Sequence, residues 1–400
     1  MEWVRIGASA DFTGRPHPVA VDGVALVVLR PAPGAAPVAF ADRCPHRLVP
    51  LSAGSFEHGV LRCPYHGWEF DASGRCLVVP SNGPEAKVPP RADLPPGPPL
   101  READGSVWVD RAAVTPPGPL DLLSNVDPGL LRAWHPVALL EELPTTARLL
   151  GREWSLSTVD GVVRADPAPY AVGVRWGLVW LAPLEPRTGL FDDPDAEDAA
   201  YAGAWLPPSR TGVSAGVVAD NFLDVAHFPF VHAATFGAGE ERVVGPYDVT
   251  ERPDGCRSVQ VQWFDNPGDP GVAAGLRPVR QRRRATYVHR APFQLMLRLE
   301  ELDAGAVKTI LFFAQPESAG STRIYTKMLL HGIGGVADPS PDVVAAEVAF
   351  EEAVLAEDLA LQARMTVPGL PLRPRDELHV RADRLGVALR RSLIPYRTLS

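Results

Sequence analysis

Apolar and polar positions in this chain alternate mostly with the period of two that marks β-strands, in short runs cut by turns. The run Val24-Ala25-Leu26-Val27-Val28-Leu29-Arg30 predicts a buried strand, and Pro37-Val38-Ala39-Phe40 resumes it after the turn-rich residues 31–36. Residues 60–62, 68–70, 75–79 and 106–109 predict further strands, so residues 1 to about 115 read as a small antiparallel β domain. Proline-rich stretches at 89–99 and 114–119 mark surface connections and a boundary. A larger region opens near residue 135, with strands predicted at 173–181, 258–264, 283–289, 293–299, 307–314 and 324–330. Helical patterns interrupt it twice, over 221–232 with a break at Pro229, and from about 341 to 363, where Ser340 or Asp342 supplies the N-cap. The predicted class is α+β, divided as 1–118, a linker at 119–134, and 135–400. No repeat of about 20–50 residues is present, which argues against a solenoid or propeller.

Composition changes this picture little. The 43 prolines and 35 glycines suit strands joined by many turns. A formal charge of -9 argues against a nucleic-acid partner. No apolar run reaches the roughly 18 residues of a membrane span, and residues 1–12 lack a secretory pattern, so a cytoplasmic protein is expected. Four cysteines do not make a disulfide framework.

The cysteines point to metal chemistry instead. Cys44-Pro45-His46 and Cys63-Pro64-Tyr65-His66 form two loops that each offer one thiolate and one imidazole. Such a pair can hold zinc, or a [2Fe-2S] cluster with both histidines on one iron. A zinc site makes few demands on its flanks, whereas a cluster needs loops that cover it and donate backbone N–H groups to its sulfurs. Cys76, Cys256, His17 and His58 read as structural.

A second constellation lies at residues 220–232. His227 and His232 stand five residues apart, with Asp224 three residues before the first. Two neutral imidazoles and one carboxylate suit non-heme Fe(II) and leave positions open for oxygen. The late helix offers Glu351, Glu352, Glu357 and Asp358 as a source of the carboxylate. Helical spacing puts Asp358 with Leu355, Leu359 and Gln362 at the edge of an apolar face, and the three glutamates elsewhere.

No phosphate-binding glycine loop, dinucleotide fingerprint or plant-type ferredoxin cysteine run is present. Electrons from NAD(P)H are therefore expected only through a separate reductase, with or without a ferredoxin. The four arginines within 280–284 read either as a docking patch or as a solvated strand laced with ion pairs.

Cys44-Pro45-His46-Arg47 together with Cys63-Pro64-Tyr65-His66-Gly67-Trp68 closely resembles the Rieske domain of Rieske non-heme iron oxygenases. The Asp-x-x-His-x-x-x-x-His segment and Glu357-Asp358 follow in that family's order, with the closest flavour in its demethylase and monooxygenase branch. The resemblance implies an N-terminal all-β [2Fe-2S] domain with Cys44, His46, Cys63 and His66 as ligands. It implies a START/Bet v1-like catalytic domain, a curved antiparallel sheet with flanking helices, holding a mononuclear Fe(II) on His227, His232 and Asp358. O₂ would be the co-substrate. It further implies a homotrimer in which Asp224 links its own His227 to a neighbouring subunit's His66, with Asn221 close to the iron. The expected reaction is hydroxylation or oxidative demethylation of an aromatic or heterocyclic small molecule, in natural-product tailoring or aromatic catabolism. Cis-dihydroxylation and oxidative cyclisation are alternatives on the same scaffold. Phe222, Leu297 and Phe313 are expected to line the pocket. Readings of another class are a Rieske electron-transfer protein without active iron and a zinc-binding regulator.

Overall fold

The computed structural model describes residues 1–398 apart from Gly268, so the last two residues of the expected 135–400 segment lie outside the described residues. The N-terminal part holds three small antiparallel sheets. His17–Val21, Val24–Leu29 and Val38–Ala41 form one, and Leu100–Ala103, Ser106–Asp110 and Trp3–Ala8 another. The third is a meander of Ser55–Glu57, Val60–Arg62, Glu69–Asp71 and Cys76–Val78. Val27, Leu29, Phe40, Leu61, Trp68 and Phe70 fill one core with Cys44 and Cys63 in it, so the two thiols sit among apolar side chains.

The 173–181 alternation is a hairpin of Ala171–Arg175 with Leu178–Ala182. Its turn residues Trp176 and Gly177 have φ of 55° and 81°, the sign that a tight hairpin turn with two left-handed residues requires.

The largest sheet is antiparallel throughout. It runs in the order Ala202–Trp205, Ser321–His331, Val307–Ser318, Gln294–Glu301, Arg280–Arg290, Gly255–Asp265, Val249–Arg252. Its register pairs Tyr287 with Leu297 and Leu297 with Ile310, which brings these three to one face. Phe313, three residues beyond Ile310, falls on the opposite face by the period of two. There it packs edge-on against Trp180 at 4.9 Å between centroids, so the expectation that it lines the pocket is corrected. Phe312 takes the pocket face and stacks on Phe222 at 4.6 Å.

Four helices cover this sheet and its edge: α1 (Ala215–Leu223), α2 (Phe228–Val231), α3 (Pro341–Gln362) and α4 (Arg384–Leu393). Ser214 caps α1 by accepting from the backbone N–H of Val217, and Ser340 caps α3 through Val343. The single helix expected over 221–232 is two helices, and the first begins earlier. Asp224 causes the break: its backbone is extended (φ -80°, ψ 117°), and its Oδ1 accepts from the Ala226 N–H at 2.8 Å. That local bond competes with helix continuation, as short acidic side chains commonly do. The break turns His227 and His232 inward.

Two candidate metal centres and the bridge between them

The two cysteine loops have the same backbone hydrogen bonding. Cys44 N–H donates to Val49 O at 2.9 Å, and Leu48 N–H donates back to Cys44 O at 3.0 Å. Cys63 repeats the pattern with Trp68 at 2.9 Å and Gly67 at 3.1 Å. The fifth residue of each loop is left-handed, Leu48 at φ 57° and Gly67 at 64°. Gly67 has a further reason to be glycine, because a Cβ there would lie 2.2 Å from the Phe230 ring.

These turns aim backbone N–H groups of His46 and Arg47 at the Cys44 sulfur, and those of Tyr65 and His66 at the Cys63 sulfur. The thiols also bond each other. Burial first, and that bond second, push Cys44 well above an ordinary thiol; the same bond is the main cause holding Cys63 below one. His46 and His66 are buried with ring centroids 4.3 Å apart, and His46 stacks on Trp68 at 4.8 Å. Each uses Nε2 to bond a carboxylate: His46 to Asp383 at 3.0 Å and His66 to Asp224 at 2.7 Å. Their Nδ1 atoms are buried with no hydrogen-bond partner among the described residues. Two sulfurs with backbone donors and two uncommitted Nδ1 lone pairs suit a [2Fe-2S] cluster carrying two histidines on one iron.

The second centre gathers three ligand atoms within 4.8 Å of one another, from His227, His232 and Asp358. His227 Nε2 lies 3.1 Å from His232 Nε2 and 3.5 Å from Asp358 Oδ1; His232 Nε2 lies 3.6 Å from that oxygen. The other ring nitrogens are committed. His227 Nδ1 donates to the Asp224 carbonyl at 2.8 Å and His232 Nδ1 to Glu357 Oε2 at 2.9 Å. Such bonds fix the tautomer that points an Nε2 lone pair at an ion. Asn221 donates to Asp358 Oδ1 at 3.1 Å and is itself held by Gln362 at 2.8 Å. Burial disfavours a charged His227, yet Asp224 and Asp358 outweigh it and push this imidazole up to about 9, the mark of a site whose field favours a cation.

Asp224 joins the centres. Its Oδ2 accepts from His66, and its carbonyl accepts from His227. Burial alone would raise this carboxyl, but His66 and His227 hold it well below the usual range. His66 and Asp224 meet here within one chain. The physical reason is a buried charge network that clamps the cysteine loops onto α1 and α4. Arg47 reaches Asp220 at 3.3 Å, Asp383 at 3.0 Å and His379 Nδ1 at 3.0 Å. Arg390, 1 % exposed, bonds Asp220 at 2.6 and 2.8 Å and Glu377 at 2.6 and 3.0 Å. Gly386 makes room for it, because a Cβ there would lie 2.6 Å from Asp220 Oδ1.

Sequence reasoning missed Asp383, Arg390 and the role of Glu357. Asp383 lies 337 residues from His46, and no local pattern signals that contact. Glu357 had a signal, its place beside Asp358. The placing of Glu351 away from Asp358's face is corrected too: seven residues are nearly two helical turns, and both line one cavity. That cavity, of about 320 Å³, is bounded by Asn221, His227, His232 and Asp358 on the side of the candidate ligands, with Phe222, Tyr287, Leu297 and Ile310 as apolar walls. Each arginine of 280–284 is ion-paired, with Glu241, Asp303, Glu240 and Glu300 in turn, which matches the solvated strand. Cys76 and Cys256 are buried, and burial pushes both thiols up to about 12.

Residues 2–94 match the family described as the Rieske [2Fe-2S] domain, and residues 212–394 the vanillate O-demethylase oxygenase C-terminal domain. The chain is 30% identical over 273 residues to a protein of Pseudomonas sp. (strain TJI-51) named "Probable methylxanthine N7-demethylase NdmC", a match covering 65% of this chain and 92% of that one. It is 42% identical over 96 residues to the 3-chlorobenzoate-3,4-dioxygenase oxygenase subunit of Comamonas testosteroni, covering 24% of this chain and 22% of the relative. A solved structure of the Pseudomonas putida CBB5 NdmA QL mutant with theobromine aligns with 97% of this chain and 88% of its own, at 20% identity and a TM-score of 0.42. A Rieske domain joined to an oxygenase C-terminal domain defines an iron–sulfur oxidoreductase of the oxygenase class. The chain belongs to the Rieske non-heme iron oxygenases, in their demethylase branch. The zinc-regulator reading is thereby set aside. Among the described residues, no helix is long and apolar enough to cross a membrane.

Proposed function

We propose that this chain is the oxygenase component of a system that hydroxylates or oxidatively demethylates an aromatic or heterocyclic small molecule. In this reading residues 1–118 carry the cluster on Cys44, His46, Cys63 and His66, residues 119–134 link, and residues 135–400 carry Fe(II) on His227, His232 and Asp358. The observation that carries it is the convergence of three ligand atoms within 4.8 Å at the wall of an apolar cavity. When bound, the cluster supplies electrons one at a time and the iron activates O₂ in its open positions.

The protein's own groups do the rest. Asp224 gives a continuous path of bonds and hydrogen bonds from the His66 ring to the His227 ring. Glu357 and the Asp224 carbonyl hold both imidazoles with Nε2 inward, while Asn221 occupies Asp358 Oδ1 and steadies the carboxylate. Phe222, Tyr287, Leu297 and Ile310 exclude water and leave room for a small ring system.

Electrons come from NAD(P)H through a separate reductase, with or without a ferredoxin, and the assembly in solution is a homotrimer. O₂ uptake by the iron-loaded protein, with a reductase and candidate aromatic or heterocyclic substrates, tests the function. Full turnover in Asp358→Ala or His227→Ala would sink the iron assignment. An electron-transfer protein without active iron would show about two irons per chain rather than about three. Light scattering reads the assembly.

A further inference from the structure

The end of the cavity away from the iron ligands is built from charge, and its balance is uneven. Asp358 and Glu351 lie on one face of α3, separated along its axis by about 10.5 Å at 1.5 Å per residue. Val354 sits between them, and Leu299 and Lys308 pair across the sheet opposite. Two cations reach this end, and both are already engaged. Arg283 donates to Glu240 at 3.0 Å, and Lys308 donates to Glu347 at 2.5 Å. Two further carboxylates face the same space without a cation of their own. Glu301 accepts one bond, from Asn266 at 2.9 Å, and Glu351 makes no hydrogen bond or ion pair among the described residues. Burial pushes both carboxyls above their ordinary values, Lys308 only partly opposing it at each.

We propose that this end of the cavity selects substrates carrying a hydrogen-bond donor, such as a ring N–H, amide or amine, that Glu351 with Glu301 makes the selection, and that carboxylates and sulfonates are rejected. The inference rests on the oxygenase reading of the same cavity and deepens it to a substrate class. A donor satisfies a half-buried acceptor that otherwise stands underused, and closing a ligand over an unmatched acceptor is unfavourable. An anion instead brings a further negative charge to a lining in which Glu240, Asp265, Glu301 and Glu351 stand with Arg283 and Lys308 as the only cations among the described lining residues. The about 10.5 Å between Glu351 and Asp358 suits a ligand with its donor at one edge and its reacting substituent at the other.

Three probes of matched size test this: 4-methoxybenzylamine, 4-methoxybenzamide and 4-methoxybenzoate, titrated calorimetrically into the iron-loaded, cluster-intact protein. The amine and amide are expected to bind about tenfold or more tighter than the benzoate, the scale of one charge-assisted hydrogen bond. Glu351→Gln keeps the size of the side chain and should narrow the gap between amine and benzoate by about tenfold; Glu351→Lys should reverse the order. Benzoate binding as tightly as the amide in the wild type, or an order unchanged in both variants, overturns the proposal. Turnover of the same probes, measured separately with a reductase, keeps the two ideas apart. Ordered binding without any product would count against the oxygenase reading alone, and preferred turnover of the benzoate would count against the selection alone.

Discussion

Asp383→Asn should raise the reduction potential of the Rieske cluster. Asp383 presents both carboxylate oxygens to His46 Nε2 at 3.0 Å, and its Oδ1 also meets Arg47 Nη2 at 3.0 Å. Burial would raise this carboxyl, but Arg47 and His46 hold it well below the ordinary range, so it is an anion at any working pH. An anionic acceptor on the Nε2–H makes the imidazole a more basic ligand and favours the oxidised cluster. Asparagine keeps the shape and one acceptor oxygen but removes the charge. A hydrogen bond to a charged group contributes about 1.5–3 kcal/mol and a neutral one about 0.5–1.5 kcal/mol, so the substitution loses about 1–1.5 kcal/mol. Only the part of that loss specific to the oxidised cluster moves the potential, so for a one-electron couple, with 59 mV for each tenfold change, the upward shift is at most about 40–65 mV. The assay is a spectroelectrochemical titration of the cluster's visible absorption, with iron and sulfide content measured on the same sample. Asp224→Asn, which removes the anion on His66, should move the potential in the same direction by a similar amount. An unchanged or lowered potential in Asp383→Asn, with cluster and melting temperature intact, would refute the reasoning and leave Asp383 only a partner for Arg47.

Arg390→Met should destabilise the fold by about 3–5 kcal/mol, because Asp220 and Glu377 would stay buried without their counter-ion; a loss under about 1 kcal/mol in urea unfolding contradicts the clamp. Asp358→Ala should release the third iron while the cluster's absorption persists, and elemental analysis still finding about three irons per chain would reassign the ligand. Buried His135 and His289 are held neutral, each pushed down to about 4, since burial outweighs the bonds to the Leu130 and Pro292 carbonyls. The unfolded chain binds these two protons below about pH 6.5 and the native one only near 4, so stability is full above this window. It should fall as the pH drops from about 6.5 to 4, by about 3 kcal/mol per histidine. His135→Gln should flatten that slope, and stability rising on acidification would be incompatible with buried neutral imidazoles.

Local signals were legible where the chemistry is local. Cys44-Pro45-His46 and Cys63-Pro64-Tyr65-His66 bring ligand and loop together within a few residues, and a turn of such length has few ways to fold. The strands over 60–62 and 106–109, and the late helix with its Ser340 cap, follow from period and capping, which need only near neighbours. The helix over 221–232 was misjudged because a single Asp224 side-chain bond overrides the apolar pattern. Phe313 was misplaced because the face a strand residue takes depends on register, here Leu297 against Ile310, and only the assembled sheet sets it. Glu351 shares a face with Asp358 because seven residues make nearly two helical turns, a phase relation that the sequence alone carries. By itself, then, the sequence determined two candidate ligand sets, their order and the class of enzyme. What only the tertiary structure decided is everything made by contacts hundreds of residues apart. Asp383 on His46, Arg390 between Asp220 and Glu377, the closure of His66 on Asp224 within one chain, and the unspent carboxylates facing the cavity all belong there. The reason is physical: buried charges are tolerated only where partners from distant segments meet, and no local pattern of residues encodes which segments those are.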